Sequence, residues 1–64
     1  MPQAFERLVR RHATADDDGY ASYLGRSADD WRQQAAVFDA LDMQAAADQA
    51  LVIARTLQAI DDDG

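Results

Sequence analysis

Sixty-four residues without a cysteine make one domain at most; a chain this short buries only ~60% of the surface its unfolded form exposes and has no disulfide or thiolate metal site to reinforce it. Six arginines, no lysine, eleven aspartates and one glutamate give a formal charge of -6, which opposes nucleic acid and anionic membrane as default partners. No apolar run approaches the ~20 residues of a bilayer span and Met1-Pro2-Gln3 does not open a signal peptide, so the expectation is a cytoplasmic protein for which oligomerisation is the natural reinforcement.

Residues 1–14 read as a first helix. Pro2 suits the first helical position, where its missing N–H costs nothing, and Phe5, Leu8, Val9 and His12 recur at helical spacing on one face. Arg7, Arg10 and Arg11 lie opposite, within about a third of the circumference, as a contiguous cationic strip. Residues 1–15 hold these three arginines against Glu6, net +2, and the remaining 49 residues carry three arginines against eleven aspartates, net -8. The end of the first helix is therefore the basic part of an acidic chain. The all-arginine usage and fourteen alanines read as a GC-rich coding bias, and a salt-loving source would also explain the aspartates.

Thr14 to Gly19 breaks this helix. Asp17 to Leu24 is expected to form a short helix stopped by Gly25, with Tyr20, Tyr23 and Leu24 on one face, or a structured loop with both tyrosines over the core. Ser27-Ala28-Asp29-Asp30 is the S-x-x-D form of a capping box and starts the next helix. Trp31, Ala35, Phe38 and Leu41 form its apolar stripe, with Val37 on the margin and Gln34 inside it. Asp42 ends this helix or caps the next. A tight reversal at Leu41-Asp42-Met43 is preferred over one long helix, because the two apolar stripes do not run on in phase through Asp39 to Gln44.

The longest helical pattern is Asp42 to Ile60, where Met43, Ala46, Ala50, Ile53, Leu57 and Ile60 share one stripe and Ala47, Leu51 and Ala54 widen it. One neighbouring helix does not cover so wide a sector. The closing acids of residues 61–64 oppose the helix dipole and are expected to fray. The fold class that follows is all-α, a small three- or four-helix bundle over residues 1–64 with a C-terminal antiparallel helical hairpin. Its expected core is Trp31, Phe38, Leu41, Met43, Ile53, Leu57 and Ile60, covered by Phe5, Leu8 and Val9.

Chemistry finds little foothold. Asp16, Asp18 and Gly19 match inner positions of an EF-hand loop, but Thr14 and Gly25 would stand at the first and last ligand positions. A lone His12 on an apolar face has no second group to orient it. No catalytic residue, cofactor or metal is assigned, and the chain is not expected to be an enzyme. Tyr23-Leu24-Gly25-Arg26-Ser27 is similar to the helix-start serine of acyl carrier proteins, without their Asp-Ser-Leu core. Phe38-Asp39-Ala40-Leu41 with Ala46, Ala50, Leu51 and Ala54 is similar to a tetratricopeptide helix pair, without its turn glycine and with a single unit. No binding residue is carried over from either.

The functional expectation is stoichiometric protein binding by a small adaptor, inhibitor, antitoxin or immunity-type protein. Its interface would draw on Arg7, Arg10 and Arg11, on Asp16, Asp17, Asp18, Asp29 and Asp30, and on Leu51 and Val52 as apolar anchors. Partners are another protein or itself, as a homodimer or higher species. A self-assembling structural protein is the alternative from another class. Nucleic-acid binding through the arginine strip is a third, disfavoured by three arginines against the net charge of -6.

Overall fold

The computed structural model describes the chain from Pro2 to Asp63, with side chains from Ala4 onward. Helix α1 (Pro2–His12) leads into three short strands, β1 (Thr14–Ala15), β2 (Ala21–Tyr23) and β3 (Arg26–Ser27), followed by α2 (Ala28–Ala40) and α3 (Gln44–Asp63). The strands form an antiparallel sheet in the order β1-β2-β3, with Thr14 opposite Ser22, Ala15 opposite Ala21, and Tyr23 opposite Arg26. The architecture is mostly helical α+β, which corrects the expected all-α bundle. Among the described residues no helix is long and apolar enough to cross a membrane.

The region expected as a helix over Asp17 to Leu24 is a loop and a strand. Its first half is a turn built on Asp16, whose Oδ1 accepts from the amides of Asp18 and Tyr20 at 3.0 and 2.9 Å. These side-chain bonds satisfy amides that a helix would otherwise use. Its second half is strand β2, which leaves through a two-residue hairpin turn at Leu24 and Gly25. Leu24 and Gly25 both take left-handed backbone, φ 53 and 77, the pairing that matches the twist of two flanking antiparallel strands.

The helix boundaries follow local rules. Ser27 caps α2 reciprocally: its hydroxyl accepts from the Asp30 amide while the Asp30 carboxylate accepts from the Ser27 amide. At the other end Asp42 adopts φ 61, the Met43 amide donates to the Phe38 carbonyl at 2.8 Å and the Asp42 amide to the Asp39 carbonyl at 3.0 Å. This is a Schellman ending. It turns the chain within three residues into α3, so the expected helical hairpin is present and the single long helix is not.

The core consists of Val9, Ala21, Ala28, Trp31, Ala35, Ala50, Ile53, Ala54 and Leu57, with Phe5, Ala13, Tyr23, Phe38 and Ile60 packed around it. Alanines line the facing sides of α2 and α3 and let the backbones approach closely. The Trp31 indole is held by its Nε1 donating to the Tyr23 carbonyl at 3.1 Å, with the Arg26 guanidinium 5.5 Å from the ring centroid.

Four expectations about packing are corrected. Leu41 is 63% exposed and Met43 48% exposed, because both cap helix ends at the reversal between α2 and α3, where little else of the chain covers them. Phe5, Val9 and Ala13, each four apart, face the core, so Leu8 and His12 fall on the margin of α1 and stay exposed. Helix α3 extends to Asp63, and near its end Asp61 Oδ1 accepts from the Ala21 amide at 2.7 Å.

Candidate functional site

The sequence-derived residues fall on three surfaces. Asp16, Asp18 and Asp29 converge with Asp61 and Asp62 on one cleft of about 500 Å³, between the β1–β2 turn, the start of α2 and the end of α3. Asp17 is exposed on the same turn but does not line the cleft, and Asp30 is committed to the α2 cap. Asp61 and Asp62 join by folding alone, since they are distant in the chain from the other acids.

Most carboxylates in this cleft already have partners. Asp16 binds turn amides and Asp61 binds Ala21. Asp29 pairs with Arg32 at 2.7 Å, Arg32 donates onward to Gln58 Oε1 at 3.0 Å, and Gln58 Nε2 donates to Asp62 at 3.1 Å. This lacing ties the start of α2 to the end of α3. Its one ion pair is exposed, 45% on Arg32 and 86% on Asp29, and such pairs contribute roughly 0–1 kcal/mol. Among the described residues no group of three or more histidines, cysteines or acids is placed to hold a metal ion.

Arg7, Arg10 and Arg11 are all exposed. Arg7 and Arg11 share a depression on the outer face of α1 with Ala4 and Leu8, itself 43% exposed. Arg10 turns away toward the sheet, where it borders a separate cleft with Tyr20 and Asp61. The strip read from the sequence is thus divided between two surfaces.

Leu51 is 37% exposed and borders a groove of about 440 Å³ between α2 and α3, floored by Ala35, Ala36 and Ala47 and rimmed by Asp39 and Asp48. Val52, one position on, is half-buried and does not line it.

The structure adds exposed apolar residues that sequence reasoning placed elsewhere. Val37, Leu41 and Met43 gather at the α2–α3 reversal, and Leu24 stands 70% exposed at the tip of the β2–β3 turn. Leu24-Gly25 is not one of the dipeptides that mark a two-residue hairpin, so this turn carried no clear sequence signal beyond its glycine. The exposure of Leu41 and Met43 had no sequence signal, because both continue apolar stripes in phase. The chain matches no protein-family model, no curated protein and no solved structure.

Proposed function

We propose that the protein acts by stoichiometric protein binding, as an adaptor, inhibitor, antitoxin or immunity-type module, with no catalytic step of its own. The observation that carries this reading is the apolar end of the helical hairpin, where Val37, Leu41 and Met43 are 50%, 63% and 48% exposed. Val37 and Leu41 stand one turn apart on α2, and the Met43 amide is anchored on the Phe38 carbonyl, so the three share one end of the molecule. Apolar area left in water forgoes about 25 cal/mol per Å², in a domain whose whole stability is of order 3–10 kcal/mol. A partner that covered this end would recover that loss. Arg7 and Arg11 beside Leu8, and Asp39 and Asp48 beside Leu51, supply polar margins of the kind that orient a complex.

The test is quantitative capture from native lysate on immobilised protein, comparing the wild type with a Val37→Ser, Leu41→Ser, Met43→Ser variant, alongside the mass of each in solution. The expected result is a partner held in fixed ratio by the wild type and lost by the variant with its helical circular dichroism intact. If the wild type retains nothing above background, or if the variant retains the same partner equally, the reading fails.

Self-assembly is the second reading, supported by the opposite charges of the α1 face with Arg7 and Arg11 and the α2–α3 groove with Asp39 and Asp48. Nucleic-acid binding has less support, because the structure parts Arg10 from Arg7 and Arg11, leaving too few phosphate contacts on one face to offset the net charge.

A further inference from the structure

The groove between α2 and α3 and the outer face of α1 are complementary in polarity and charge. The groove has a floor of small side chains, Ala36 and Ala47 among them, an apolar wall at Leu51, and Asp39 and Asp48 on its rim. The outer face of α1 presents Leu8 at the edge of a depression shared with Ala4, with Arg7 and Arg11 together on one side of it. An alanine floor admits a helix at close approach and leaves room for one projecting leucine. From Arg32 to Asp39 the α2 side of the groove spans eight residues, and Ala4 to Arg11 also spans eight, a rise of about 10.5 Å of helix in each case. The one cation on the rim, Arg32, is engaged by Asp29 and Gln58, so the charge the groove offers to an incoming helix is negative.

We infer that a second copy of this chain is the occupant: its α1 lies in the groove, Leu8 against Ala36, Ala47 and Leu51, and Arg7 and Arg11 against Asp39 and Asp48. This self-association goes beyond the protein-binding reading, because it uses surfaces apart from Val37, Leu41 and Met43. The donor face and the acceptor groove are separate surfaces, so each copy gives and receives at once. The contact is heterologous, and copies add beyond a dimer unless a ring closes. The net charge of -6 repels whole copies, but at about 0.15 M salt charges further apart than ~8 Å are largely screened, whereas arginine and aspartate in the groove would lie in direct contact.

The experiment is sedimentation of the full chain from micromolar to millimolar concentration in such salt. It compares the wild type with an Arg7→Glu, Arg11→Glu variant, an Asp39→Arg, Asp48→Arg variant, and an equimolar mixture of the two variants. All four positions are exposed, and circular dichroism confirms that each variant is folded. The wild type is expected to gain mass with concentration, each variant alone to remain monomeric, and the mixture to associate again, because each variant carries the face that the other lacks. A wild type that is monomeric throughout, variants that associate as it does, or a mixture that stays monomeric would each overturn the inference. The broader reading survives any of these outcomes if the lysate capture still finds a partner dependent on Val37, Leu41 and Met43.

Discussion

The Asp61 carboxylate accepts a hydrogen bond of 2.7 Å from the Ala21 amide, forty residues earlier in the chain. Ala21 is 6% exposed and sits on the central strand of the sheet, so its amide has little access to water as a substitute. The bond therefore joins the last turn of α3 to the sheet at a point where losing it leaves a buried donor unpaired. Replacing Asp61 with Ala is expected to cost about 1–3 kcal/mol, while Asp63→Ala, at an exposed position, should stay within about 0.5 kcal/mol. Urea denaturation of the two variants checks the contrast. Equal midpoints would show that the Asp61 bond contributes nothing.

Leu24 occupies left-handed backbone at φ 53 with its side chain 70% exposed. A leucine there is strained, and its side chain gains little burial to offset the strain. Leu24→Asn would create the Asn-Gly pair favoured in two-residue hairpin turns and is expected to raise stability by about 0.5–1 kcal/mol. In a domain of this size that is a rise in melting temperature of roughly 2–8 °C. A melting temperature that fell would mean that Leu24 makes a packing contribution larger than its strain.

Trp31 is 8% exposed, donates to the Tyr23 carbonyl and lies under the Arg26 guanidinium. Trp31→Phe removes the donor and part of the volume, for a loss of about 2–3 kcal/mol. Arg26→Ala removes only the cation–π contact, for about 0.5–1 kcal/mol. Circular dichroism during denaturation should rank the two in that order. The reverse order would place more of the stability in the guanidinium than in the buried indole.

Met43 stands at the N-cap position of α3, its carbonyl accepting the Ala47 amide at 2.9 Å, yet its side chain has no oxygen to cap a free amide. Met43→Asp is therefore expected to stabilise the fold by about 0.5–2 kcal/mol while weakening capture of any partner that covers Val37 and Leu41. Thermal melting and the capture assay, run on the same protein, separate the two effects. A variant more stable and equally competent in capture would remove Met43 from the interface.

Leu41 and Met43 show why the exposed end was not legible in the sequence. Each extends an apolar stripe in correct helical phase, and phase alone predicts burial. Whether another element reaches that far depends on the lengths of α1 and the sheet and on where they dock. The acidic cleft is similar. Asp16, Asp29 and Asp61 read singly as a turn residue, a first-turn acid and a fraying tail, and only the antiparallel return of α3 brings them to one place.

By itself the sequence determined what is settled over a few neighbouring residues: the Ser27 cap of α2, the reversal at Asp42, the Phe5–Val9 face of α1 and the buried stripe through Ala50, Ile53 and Leu57. Capping and periodicity act within one or two helical turns, so their signals are written locally. The three strands, of two and three residues each, are too short for alternation to register. They exist because the Asp16 turn and the Leu24-Gly25 turn fold them together, and because Trp31 and Asp61 bind Tyr23 and Ala21 from elsewhere in the chain. Tertiary structure decided that sheet, the division of the arginine strip and the faces left uncovered, since each depends on how far one element reaches over another.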